Sequence, residues 1–135
     1  MRAVNLKYAT RLINHGGLVI VSSKYADKRT FTPIAWNMPV EHTPPLVAVT
    51  ISKENFVNSL IKKSKVFCLN IPQIDLLGTV ITLGTNSGKD ADKLALTGLK
   101  AKKCRSINAE YLTAAVAVLE CKLVKTIPIE GVDIF

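Results

Sequence analysis

Between Leu18 and Ser52 the chain runs through three strand-like segments with almost nothing helical between them. Leu18–Ser23 is a short β-branched run, Thr30–Asn37 (TFTPIAWN) resumes strand character, and Leu46–Ser52 (LVAVTIS) reads as a buried strand. The polar turn Tyr25–Arg29 separates the first two. The rigid segment His42-Thr43-Pro44-Pro45 sets up the third. Pro33 cannot donate to a sheet ladder, so its strand belongs at an edge or a bulge. Strands in direct succession do not make the regular strand–helix alternation of a doubly wound sheet. They fit a mainly β fold, a closed or partly closed β-barrel with peripheral helices.

The remaining segments decorate that plan. Leu6, Ala9, Leu12 and Ile13 have helical spacing, and Asn14–Gly17 ends the helix. Asn55–Lys63 reads as a second helix, with Phe56, Leu60 and Ile61 on one face and lysines in the last turn. Val66–Ile71 (VFCLNI) is a strand closed by Pro72. Asp75–Leu83 (DLLGTVITL) reads equally as helix or strand. A short helix follows Asp90 and stops at Gly98, a C′ glycine. Ala117–Val124 alternates like a strand that turns Lys122 outward. At 135 residues and 48% hydrophobic content, the chain suits a single domain, residues 1–135, with a real core.

Composition narrows the function. No apolar run approaches the ~20 residues that cross a bilayer. The N-terminus lacks the continuous apolar core of a signal peptide. The expectation is a soluble cytoplasmic protein that does not engage membranes. The three cysteines form no CxxC pair and no metal-ligand spacing, so neither a disulfide framework nor a zinc site is expected. Cys68 and Cys121 read as small buried hydrophobes. The +8 net charge is scattered, and the 6% aromatic content does not interleave with it. That pattern argues against nucleic acid and for an anionic, phosphorylated small molecule. His15 and His42 sit in turns, and neither GxSxG nor HExxH occurs, so no catalytic side chain and no metal site stand out.

The stretch Gly84–Leu94 (GTNSGKDADKL) superficially resembles a phosphate loop and a calcium loop. It is neither. A P-loop needs GxxxxGK followed by Ser or Thr, and here Asp90 follows Lys89. An EF-hand loop needs a closing Glu, which is absent. What remains is a tight Ser87-Gly88 turn, Asp90 able to cap the next helix, and Lys93 one turn on, able to reach an anion near the helix start. Taken alone it reads as a capped turn.

In order, however, LVIVSS, PIAWNMPV, TPPLVAVTIS, VFCLNIP, GTNSGKDADKL and VLECKLV resemble the flavin reductase-like, FMN-binding split-barrel family, which includes the flavoredoxins. The similarity runs from about Leu12 to Val124. It implies a six-stranded split barrel that forms a homodimer and holds FMN non-covalently near the dimer interface. Carried over residue by residue, it places Trp36 and Asn37 beside the flavin and Ser52 at the end of the PPLVAVTIS strand. It puts Asn58 and Ser59 in a phosphate-binding turn, and Ser87 and Lys93 in the SGxDxDKL motif, with Lys93 at the phosphate. Thr30 stands where family members often carry Asn, and Val57 where they often carry Thr. Near its end the family has a Gly-Asp-His-like segment; here the chain reads IEGVDIF. The closing strands are therefore expected to be missing, giving a barrel shortened at the C-terminus.

The resemblance implies an oxidoreductase that passes electrons from NAD(P)H, or from a partner redox protein, through FMN. No GxGxxG fingerprint is present, so a nicotinamide would bind transiently on the flavin face. A non-enzymatic electron carrier, or a degenerate barrel that has lost FMN, is the alternative reading.

Overall fold

The computed structural model describes residues 17–135. The expected Leu6–Ile13 helix and His15 lie outside the described residues. Strands β1 (Val19–Tyr25), β2 (Lys28–Ile34), β3 (Asn37–His42) and β4 (Pro45–Ser52) follow one another directly. Helix α1 (Phe56–Ser64) leads into β5 (Val66–Pro72). A 3-10 turn (Ile74–Leu76), α2 (Leu77–Thr85) and the short α3 (Lys93–Thr97) come next. The chain ends in β6 (Ala101–Lys103), β7 (Glu110–Leu112), β8 (Ala115–Lys122), β9 (Ile127–Ile129) and β10 (Val132–Ile134).

The strands form two four-stranded sheets, in the orders β2-β1-β5-β8 and β3-β4-β10-β9, plus the β6–β7 hairpin. Among the described strands every pairing is antiparallel, as short connections allow. The mainly β expectation holds. Pro33 sits on β2, an edge strand, where a missing N–H is tolerated. Pro39 and Pro128 likewise lie on β3 and β9, the two edges of the second sheet. The segment IEGVDIF, far from being a bare tail, supplies β10, which pairs with β4. Phe135 then exchanges two 2.9 Å backbone bonds with Val49.

The first sheet is buried on both faces, which explains its run-like sequence. Alternate residues of a strand point to opposite faces. Val19 and Val21 join Phe67, Leu69, Val49, Ile51, Val57 and Ile61 on one side. Ile20 joins Phe31, Leu83, Leu94 and Leu112 on the other. Each such side chain, fully buried, contributes about 1.5–3 kcal/mol. So β4 and α1 cover one face, while α2, α3 and β7 cover the other.

Three local readings change. The first turn is tighter than Tyr25–Arg29: Tyr25 pairs with Lys28, leaving a two-residue turn with Ala26 at a left-handed φ of 55°. Asp75–Leu83 resolves as a 3-10 turn and a helix, because α2 packs Leu83 under β2 rather than adding to a sheet. Asp92, not Asp90, caps α3, accepting a 3.0 Å bond from the Leu94 N–H. Gly98 closes that helix as expected, at φ 68° with its N–H on Leu94 O.

Candidate functional site

The loop between α2 and α3 builds the site. Both helices pack on the Phe31 face of the sheet. Thr30, next to Phe31, points to the opposite face, where α1 starts. Yet Gly88 lies against Thr30: a Cβ at Gly88 would stand 2.1 Å from Thr30 Oγ1 and 3.3 Å from the Phe56 ring. The loop therefore passes around the β2 edge and closes over the first turn of α1. Only a residue without a side chain permits that approach. Ser87 shapes the turn, its Oγ accepting from the Lys89 N–H at 3.2 Å and its carbonyl from the Asp90 and Ala91 N–H groups.

Two features of this junction are unspent. Thr30 Oγ1 is buried and has no hydrogen-bond partner among the described residues. Helix α1 follows Asn55 with no side-chain cap and no acidic residue in its first turn, so no side chain compensates its leading N–H groups, although Asn58 N–H donates to Asn55 O at 3.0 Å. Beside them opens a cleft of about 540 Å³, lined in part by Lys28, Arg29, Phe56, Gly88 and Lys89. Lys24, Asp27, Asp90, Ala91, Asp92 and Glu110 complete its wall.

The charges in that wall are unevenly committed. Glu110 holds Arg29 at 2.5 Å and Lys24 at 3.2 Å. Burial alone would raise its pKa, but the bonds from Arg29 and Lys24 outweigh burial and keep the carboxyl below its ordinary range. Arg29 also approaches Asp92 at 3.8 Å. Lys28 and Lys89 enter no ion pair among the described residues. Two cations thus remain available to an anion in the cleft.

The residues anticipated from the sequence divide sharply. Thr30 and Ser87 come together at Gly88. Lys93, the first residue of α3, is not in the cleft wall: it is 5% exposed and its Nζ donates to Leu83 O at 2.6 Å. Burial lowers its pKa to about 8. Ser52 ends β4, its Oγ accepting from the Glu54 N–H at 3.2 Å just before α1. Asn58 points away into the core, its amide donating to Ile51 O at 3.2 Å and to Asp133 at 2.9 Å. Ser59 is turned back on its own helix, donating to Phe56 O at 2.8 Å. Asn37 braces the start of β3, donating to Gly17 O at 2.8 Å. Trp36 lies between β2 and β3 and is 51% exposed. Its carbonyl accepts from the Thr50 N–H on β4. Arg29, Lys28, Lys24 and Glu110 escaped sequence reasoning, although the basic tip of the first hairpin was a visible signal.

Comparison with known proteins agrees with this architecture. The family model described as "Flavin reductase like domain" matches residues 11–135. The Escherichia coli K12 protein YddH is 34% identical over 98 residues, covering 71% of this chain and 52% of that protein. The chain thus spans about half the length of the curated relatives it matches. The crystal structure of an FMN-binding protein from Thermus thermophilus superposes with a TM-score of 0.86 at 24% identity, over 100% of this chain and 75% of that one. An FMN-binding domain of a flavin reductases-like enzyme from Shewanella baltica gives 0.78 at 26% identity, over 98% and 72%. From the matched span and the shared sequence, this chain belongs to the flavin reductase-like domain family.

Proposed function

We propose that the protein binds FMN and serves as a flavin reductase- or flavoredoxin-like oxidoreductase, taking electrons from NAD(P)H or a redox protein. The observation that carries this reading is the junction at Gly88. Two lysines without an ion pair line a cleft that also takes in Phe56, the first residue of a helix with no side-chain cap, and Gly88, which lies against a buried hydroxyl without a partner. Helix N-termini and basic side chains are what a phosphate monoester requires. The cleft volume lies within the range of small-molecule sites.

In this reading the α1 N–H groups and Thr30 Oγ1 bind the phosphate end. Lys28 and Lys89 supply its countercharge. Glu110 holds Arg29 and Lys24 in place and prevents them from collapsing into the cleft. The bound cofactor would supply two-electron chemistry, while this chain would supply binding, orientation and shielding from water. No side chain is needed as an acid or base. The exposed Met38 and Val40 on edge strand β3 support a homodimer formed through that side of the molecule.

The test is optical. Purified protein, as isolated or after addition of FMN, is expected to be yellow and to hold FMN through gel filtration. Riboflavin, which lacks the phosphate, should bind more weakly by at least tenfold, since a charge-assisted contact is worth about 1.5–3 kcal/mol. Anaerobic NADH or NADPH should bleach the bound flavin. A protein that stays colourless with FMN overturns the proposal. Binding without bleaching limits it to an electron carrier.

A further inference from the structure

The face of the first sheet that carries Ile20 also carries Cys68, at the middle of β5. Its cross-strand neighbours are Ser22 on β1 and Glu120 on β8. The β6–β7 hairpin covers this patch, and Cys104, directly after β6, places its Sγ 3.4 Å from Cys68 Sγ. Both cysteines are free thiols.

The contact is held from every side. Cys104 N–H donates to Ala109 O at 2.9 Å, closing the hairpin loop. Glu120 accepts the Arg105 and Ser106 N–H groups at 2.8 and 2.6 Å, tying that loop to the strand beside Cys68. Asn70 accepts the Leu112 N–H at 2.7 Å, and Ser22 donates to Glu110 O at 2.6 Å, fixing β7 to β5 and β1. The two sulfurs are thus presented to each other by the surrounding hydrogen bonds. Reaching the ~2.05 Å of a disulfide asks for a closure of about 1.4 Å. Cys121 takes no part: it pairs with Phe67 in the sheet register and packs on the opposite face.

We propose that Cys68 and Cys104 are a reversible dithiol–disulfide pair, closed by hydroperoxide and reopened by thiols. Cys104 is partly accessible and Cys68 fully buried, so Cys104 meets the oxidant. Burial raises the Cys104 pKa, the Cys68 S–H contact pulls it back, and the Glu120 and Glu110 carboxylates raise it again. Its thiolate attacks one peroxide oxygen and the O–O bond breaks. Hydroxide leaves, takes up the thiol proton as water, and Cys104 becomes a sulfenic acid. The Cys68 sulfur then attacks the Cys104 sulfur. The S–O bond breaks, and the hydroxyl departs with the Cys68 proton as a second water. Two thiols and one hydrogen peroxide give one disulfide and two waters. The bond would rivet the β6–β7 hairpin, and with it Glu110, to the central strand. The wall of the cleft that positions Arg29 and Lys24 would then be fixed by a covalent link.

The experiment is peptide mapping of the full chain after hydrogen peroxide treatment, with alkylation under denaturing conditions. The expected result is a Cys68–Cys104 linked peptide, loss of two alkylatable thiols, retention of the Cys121 thiol, and complete reversal by dithiothreitol. Cys121→Ser should give the same link and Cys104→Ser none. The proposal is overturned if wild-type protein yields no such linked peptide, if Cys104 ends as sulfinic acid while Cys68 remains alkylatable, or if Cys121→Ser abolishes the link. The wild-type map decides the matter even where a variant does not fold. It requires no flavin, so its outcome is separate from that of the FMN test.

Discussion

Two charged side chains are shut away from water, and the fold treats them in opposite ways. Asp133 on β10 is 0% exposed, yet Lys62 reaches it at 2.5 Å and Asn58 at 2.9 Å. The bond from Lys62 lowers its pKa first and foremost, overcoming the effect of burial. Lys93 is 5% exposed and has one carbonyl for company, that of Leu83. Nothing offsets its burial, and its pKa falls to about 8. The first charge is a rivet between α1 and the closing hairpin. The second is a charge under tension, at the root of the loop that shapes the cleft. The contrast separates residues that hold the fold from residues that set up the site.

Removing the rivet should have the largest effect. Asp133→Ala takes from the buried Asn58 amide one of its two acceptors and leaves Lys62 without its partner. The expected loss is about 2–4 kcal/mol in a urea melt. A loss under ~1 kcal/mol would erase the distinction between the two charges. The same carboxylate has a pH signature. Its folded pKa is depressed, so its contribution is present above the ordinary aspartate range and disappears as pH falls through the folded value. The stability gap between wild type and Asp133→Asn should therefore narrow on acidification below about pH 4.

Lys93 predicts a slope of the other kind. Its folded pKa, about 8, lies below the ordinary 10.5. Below pH 8 the ammonium bears the full cost of burial. Between pH 8 and 10.5 the folded protein sheds the proton first, so stability rises with pH. Relative to Lys93→Met, wild type should gain about 2–3 kcal/mol across that window, read from denaturant midpoints. A flat difference would mean that water reaches the ammonium.

The smallest expected effect belongs to the cleft. Thr30→Val keeps the shape and deletes a buried hydroxyl without a partner. Stability should rise by up to about 1 kcal/mol, while FMN affinity falls roughly fivefold, as calorimetry would show. If stability falls instead, the hydroxyl already has a partner in the free protein.

Much of this architecture is legible from periodicity. β1, β4, β5 and α1 announce themselves through apolar patterns long enough to show a period, and the Gly98 stop needs only one residue. The strands that went unread, β6, β7, β9 and β10, are three residues each, too short to display alternation. α2 stayed ambiguous because it is apolar all round: Leu83 is buried, while Leu77 and Ile81 are 62% and 59% exposed. Within the site, the Ser87 turn and Thr30 were nameable from motif order. The destinations of Asn58 and Lys93 were not. Their partners, Asp133 and Leu83, are specified by sheet closure and helix packing rather than by any local pattern. The cleft charges come from a hairpin tip, a loop and the start of β7, so no spacing rule could collect them.

The prolines have a consequence for assembly. A sheet lengthens only where an edge strand can both donate and accept along its whole length. Of the four outer strands of the two larger sheets, β2, β3 and β9 each contain a proline, and β8 does not. Among the described outer strands of these two sheets, strand addition therefore has one edge free of proline, which carries the exposed Val116 and Leu119. Two copies meeting there edge to edge would present only proline-bearing borders outward. Among the described strands, growth by edge pairing alone would stop at a pair.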